Sequence, residues 1–226
     1  MKIILLCLVL ATSSCVSKAQ KWSPEQLSAA NTAADANYLN QEEKNMVFYL
    51  NLIRTDGSLF FNTYFKEYVE RTNIEMRKYS NYNDVRIDKK SKYYRSLEED
   101  LKKIKGLKIL LPHEKLSRVS AAHAVDLGKT NRVSHDSSNG KTFAQRISSA
   151  FPNHAAAENL AFGSMTGLDI MCALLLDQNV TGLGHRKNIL NSTSNFTHIG
   201  VSIKPHPTYR LTGVMDFLSV PEKINL

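Results

Sequence analysis

Two stretches near the C-terminal end decide the fold: Ile199-Gly200-Val201-Ser202-Ile203-Lys204 and Leu211-Thr212-Gly213-Val214-Met215-Asp216-Phe217. In the first, Ile199, Val201 and Ile203 alternate with Gly200, Ser202 and Lys204. In the second, Leu211, Gly213, Met215 and Phe217 occupy every other position. A period of two on both sides of a turn marked by Pro205 and Pro207 predicts a β-hairpin. Upstream, the apolar residues recur at three-and-four spacing instead. Met46, Val47, Leu50 and Ile53 predict a helix from Gln41, with Glu42 and Glu43 in its first turn where negative charge suits a helix N-terminus. A break is expected at Asp56-Gly57, before Phe60, Phe61, Tyr64, Phe65 and Tyr68 resume the stripe. Pro112 opens a second helix, with Leu116, Val119, His123 and Leu127 on one face. Further helices are expected over residues 142–150, over 168–178, and over 185–190 after Gly184. Helices first and strands last imply an α+β fold in which helices cover a sheet, because neither can bury its apolar face alone.

Outside this framework the chain is polar. Residues 20–40 mix Ser, Asn, Ala and Gln and read as a tether or weak helix. Residues 71–105 are crowded with Lys, Arg, Asn, Tyr and Glu and read as a basic surface excursion. The tract Lys92-Tyr93-Tyr94-Arg95 could stack on nucleic-acid bases, but a solvated helix with a basic flank is the better reading, and no nucleic-acid binding is expected. Over 226 residues the hydrophobic content is 42%, the charged content 22% and the net charge +8. Those values exclude a disordered or collagen-like chain and allow one sizeable core.

The N-terminus reads as an export signal. Lys2 precedes the apolar run of residues 3–11, and Thr12, Ser13 and Ser14 follow it. The run is too short to span a membrane as a helix. Cleavage before Gln20 would leave a secreted chain; alternatively Cys15 resembles the acylated cysteine of bacterial lipoproteins and would anchor the protein to a membrane. Either route leaves Cys172 alone in the exported domain, unable to form an intramolecular disulfide and best read as a buried thiol.

The local signatures of the common hydrolases, metalloproteases and nucleotide-binding loops are missing. Three segments combine ligating and small residues at element edges: Val133-Ser134-His135-Asp136, Ala157-Glu158-Asn159-Leu160-Ala161, and Gly182-Leu183-Gly184-His185-Arg186-Lys187-Asn188-Ile189-Leu190. With the terminal Ile-Gly-Val strand and its Asp216-Phe217 partner, they come in the order and spacing of the CAP superfamily. This group of SCP domains includes cysteine-rich secretory proteins, antigen 5 and pathogenesis-related 1 proteins, and the chain resembles its bacterial branch. The resemblance runs from about residue 41 to 217, with residues 71–105 as an insertion, and the domain is expected to end near residue 220.

The resemblance implies a three-layer α-β-α sandwich with an antiparallel sheet and a central cleft where two histidines and two acids meet. His135 and His185 match the histidines and Glu158 one acid; Asp177 stands near the family's second acid and lacks the tryptophan that precedes it in many relatives. A divalent metal on His135 and His185, zinc by preference, follows from two imidazoles. Glu158 and Asp177 would ligate, orient a bound water or hold an imidazole tautomer. The functions implied are an exported, non-catalytic domain binding metal or a small or lipid-like ligand; a metal-dependent hydrolase or peptidase with Glu158 as general base; or an envelope adhesin using its basic stretch. His123, in register with Leu116 and Leu127, is expected to be packing.

Overall fold

The computed structural model describes residues 21–163, 166–191 and 193–220. The predicted signal and Cys15 lie outside them. Among the described residues no helix is long and apolar enough to cross a membrane. In chain order the helices are α1 (Pro24–Ala30), α2 (Gln41–Thr55), α3 (Gly57–Phe60), a π-helical turn (Phe61–Phe65), α4 (Lys66–Met76), α5 (Tyr82–Val85), α6 (Lys92–Lys102), α7 (Glu114–Thr130), α8 (Phe143–Ala150), α9 (Gly167–Leu176) and α10 (Gly184–Ile189). The strands are β1 (Leu111–Pro112), β2 (Ala156–Phe162), β3 (His198–His206) and β4 (Arg210–Leu218), in sheet order β1-β3-β4-β2. The hairpin is β3–β4; β2 adds to β4 antiparallel, and only the two-residue β1 runs parallel, against β3.

Alternation along the strands makes the three layers. Ile199, Val201, Met215, Phe217 and Ala161 point to a core shared with α2 and α9. Val214 and Leu160 point the other way, against Ala124 and Leu127 of α7, and Leu218 meets Leu116 there. α7 lies very close on this face: a Cβ at Gly200 would stand 2.5 Å from the Leu116 carbonyl carbon, so any side chain there would push the helix off the sheet.

The helix caps explain the boundaries. Asn40, Thr142 and Thr166 each close a capping box with a Glu, Gln or Asp three residues on. Asp56 ends α2 and caps α3, which places the break where the sequence predicts it.

Two polar segments depart from expectation. The stretch that reads as a tether or weak helix does form a helix, α1, but it also buries Ala30, Ala33, Ala36 and Leu39 in the main core, where small residues let the backbone approach closely. The basic stretch is not a surface excursion throughout: α6 is amphipathic and sends Tyr94, Leu97 and Leu101 into the main core, with Ile87 ahead of it. Three apolar residues among many charges are too few to show the period, yet they suffice to anchor a helix whose other face is solvated.

Candidate functional site

β2 is an edge strand, and the chemistry gathers along it. Its residue Glu158 faces α7 and is buried, its side chain 1% exposed. Both carboxylate oxygens are engaged: His135 Nδ1 donates to Oε1 at 2.8 Å, and Arg146 of α8 donates to Oε2 at 2.6 Å. Arg146 also donates to the His135 carbonyl, at 2.6 Å, so one guanidinium fixes both the acid and the loop carrying its histidine.

Beneath this pair sit two groups that the sequence does not mark as part of the site. His123 is buried on α7, its Nε2 3.1 Å from the Ser134 carbonyl and 4.0 Å from Glu158 Oε2, while its Nδ1 has no partner among the described residues. Burial holds its pKa below the ordinary histidine value against the opposing pull of Glu158. Asp216 stands directly across from Glu158 in the β2–β4 register. Ser120 donates to one of its oxygens at 2.6 Å and the other is unpartnered among the described residues. Burial, and then the negative charge of Glu158, push the Asp216 carboxyl well above the usual range. The two residues are direct cross-strand partners in a buried layer, so charging Asp216 beside Glu158 is unfavourable.

The next residue of β2, Asn159, points to the opposite face. Its amide donates to the His185 carbonyl at 3.1 Å and its oxygen accepts from Asn188 at 2.8 Å. α10 is thereby fastened to the same strand edge. Its far end is held by the buried Arg54 of α2, which donates to the Ile189 carbonyl at 2.8 Å and whose pKa burial draws down to about 10. His185 Nδ1 donates to Asp177 Oδ1 at 2.8 Å, and the other Asp177 oxygen accepts from the backbone amides of His185 and Arg186 at 3.0 and 3.2 Å. Asp177 ends α9 in the left-handed conformation, φ 51°, which turns its side chain back toward the start of α10.

His135, Glu158, His185 and Asp177 therefore form two histidine–carboxylate pairs attached, through Glu158 and Asn159, to consecutive residues of β2. In each pair the carboxylate takes Nδ1–H and leaves Nε2 as the available nitrogen; the His135 side chain is 54% exposed and that of His185 22%. Both acids are buried with their oxygens occupied, so they are placed to orient imidazoles and not to bind an ion directly. Among the described residues no group of three or more His, Cys, Asp or Glu is arranged to hold a metal. The nitrogens these contacts leave over are the two histidine Nε2 atoms, one in each pair, each imidazole backed by a carboxylate. Each Glu158 oxygen already accepts one donor, and its side chain is buried.

The sequence profile of the Cysteine-rich secretory protein family, CAP, matches residues 79–217, and the chain belongs to that family. The match takes in α6 and every residue of the two pairs. An extracellular protein containing an SCP domain from Bacillus anthracis str. Ames, known at 1.5 Å, is 26% identical over 50% of this chain and 35% of its own, with a TM-score of 0.42. An outer surface protein from Borrelia burgdorferi is 22% identical over 60% of this chain and 97% of its own, with a TM-score of 0.44. The alignment thus spans about a third of the Bacillus protein. No curated protein matches the chain.

Arg146, Asp216, Asn159 and Asn188 are site residues that sequence reasoning does not single out. Asp216 shares the α7-facing side of β4 with Val214 and Leu218, opposite the Met215 and Phe217 face that the alternation marks.

Proposed function

We propose that this CAP domain is exported and works as a non-catalytic binding module whose His135 and His185 present Nε2 to a divalent metal ion, zinc by preference, with Glu158 and Asp177 holding the imidazoles in the Nδ1–H tautomer. The observation that carries the reading is the pair of 2.8 Å Nδ1–carboxylate contacts to buried acids, which is the arrangement that orients metal-binding histidines. A bound ion would supply a Lewis-acidic point for a carboxylate, phosphate or other oxygen ligand of a small or lipid-like molecule. The protein's own part is to fix the two nitrogens from opposite faces of one strand edge. Two nitrogens leave coordination positions open, so the site is weaker and more exchangeable than a structural four-ligand centre. Lys2 and the apolar run after it support export, and Cys15 offers a lipid anchor.

The test is zinc titration by calorimetry on the wild type and on His135→Ala and His185→Ala. Both variants should bind at least tenfold more weakly than wild type, and lower pH should release the ion, since protonated imidazole cannot ligate. If both variants bind as the wild type does, the histidines are not ligands.

A further inference from the structure

The motif Lys92-Tyr93-Tyr94-Arg95 is not absorbed by the histidine pairs, and it borders a groove of about 540 Å³ between α6 and the loop of residues 180–183. One wall is the exposed start of α6 with Lys92 and Tyr93; the other is Val180, Thr181 and Leu183, closed by Lys187 of α10. The volume lies in the range of small-molecule sites, about 300–1,000 Å³.

Three features make it a built site. First, the walls are riveted together by the buried Arg186. Its guanidinium donates to the Leu175 and Leu176 carbonyls of α9 at 2.7 and 2.9 Å, and to the Tyr93 carbonyl and Ser96 hydroxyl of α6 at 3.1 and 2.9 Å. Second, the loop wall is held in an uncommon backbone: Asn179 and Leu183 have φ of 65° and 53°, a conformation that costs a non-glycine residue free energy and that the surrounding contacts must hold in place. Third, the charges are one-sided and unspent. No acid lines the groove, and among the described residues neither Lys92 nor Lys187 forms an ion pair; Lys92 lies over the Tyr93 ring, 5.1 Å from its centroid. A second basic groove, beside α8, differs in part: there Arg118 is paired with Glu114 and Arg146 with Glu158, while Lys115 and Lys141 form no ion pair among the described residues.

We propose that this groove binds a small amphipathic anion, with a phosphate, sulfate or carboxylate head between Lys92 and Lys187 and a planar or aliphatic body against Tyr93, Val180 and Leu183. Two ammonium groups that form no ion pair among the described residues, in a groove with no acid in its lining, select the head, and the mainly apolar walls demand a body. The groove shares the loop between Asp177 and His185, but none of its lining residues belongs to the histidine pairs, and it does not depend on a metal.

The experiment is calorimetric titration of the full chain with 2-naphthyl phosphate, with inorganic phosphate and 2-naphthol as head-only and body-only probes. Naphthyl phosphate should bind at least tenfold more tightly than either fragment, and more weakly as salt is raised. Lys92→Ala/Lys187→Ala should lose at least tenfold in affinity, whereas His135→Ala and Lys115→Ala/Arg118→Ala should bind as the wild type does. Equal binding by the Lys92→Ala/Lys187→Ala protein would overturn the proposal. So would equal affinity for inorganic phosphate, which would show that the apolar walls contribute nothing. Equal loss in the Lys115→Ala/Arg118→Ala protein would reduce the effect to net charge. Circular dichroism of each variant separates loss of binding from loss of fold.

Discussion

The two histidine–carboxylate pairs have the same contact length and are built in opposite ways. Asp177 and His185 are eight residues apart, joined by one loop, and the acid is satisfied by the histidine ring and two backbone amides of the helix it caps. Glu158 and His135 come from a strand and a loop 23 residues apart, and the acid is satisfied by another side chain, the guanidinium of Arg146, with a second acid at its back. The local pair needs a backbone conformation. The long-range pair needs a charge. Substitutions that respect shape but not charge should therefore separate them.

The largest effect is expected at Glu158. Glu158→Ala strands the Arg146 guanidinium, 9% exposed, without its counter-charge and should cost about 3–5 kcal/mol in urea unfolding, the usual penalty for breaking a buried pair from one side. Glu158→Gln should recover little of it, since an amide does not neutralise Arg146. Full recovery by Gln would show that shape, not charge, holds this half.

At Asp177 the order should reverse. Asp177→Ala removes three hydrogen bonds to a buried acid and puts alanine at φ 51°, for a loss of about 2–4 kcal/mol. Asp177→Asn keeps an acceptor oxygen and tolerates the left-handed conformation, so its loss should stay at about 1 kcal/mol. An Asn variant as damaged as the Ala variant would mean that the negative charge matters here too, and the contrast between the pairs would fail.

Asp216 tests the second acid behind Glu158. Its pKa is raised in the fold above the unfolded value of about 3.9, so the folded chain binds more protons and its contribution to stability is present below about pH 4 and lost as pH rises. Asp216→Asn removes that titration. Its stability relative to wild type should grow from about pH 4 toward neutrality, read from urea midpoints at several pH values; a constant gap would show that Asp216 is ionised in the fold. His123 runs the other way: with its pKa lowered by burial, its contribution is present above about 6.5 and lost as pH falls below it.

The same contrast governs what can be read from the sequence. The helical stripes, the Asp56 break and the β3–β4 hairpin are local patterns and appear where their periods place them, except that Pro112 does not open a helix: it lies in β1, and α7 begins at Glu114 behind the N-cap His113. Strand β2 escapes prediction, because Glu158 and Asn159 replace the apolar alternation with two buried polar residues whose partners lie on other elements. Arg146 looks like an ordinary exposed residue of α8, since nothing near it in sequence shows that it will meet Glu158. His123 is packing, as its register predicts, buried beside Leu127 and Ala124, yet no local pattern signals that it abuts Glu158. His135, Glu158 and His185 are picked out as candidates by their motifs and Asp177 by its nearness to a family position; that they meet as two pairs, with both acids facing imidazole Nδ1, is visible only in the hydrogen bonds.

That assignment is tested most directly by long-range proton–nitrogen NMR of the histidine rings in alkaline buffer, where the imidazoles are neutral. The tautomer then reports which nitrogen faces the acid. Both His135 and His185 should show the Nδ1–H tautomer, and Glu158→Gln and Asp177→Asn should weaken that preference only in the ring each acid contacts. An Nε2–H tautomer at both histidines in the wild type would mean that the carboxylates do not hold Nδ1–H and that Nε2 is not the nitrogen on offer, which contradicts the account.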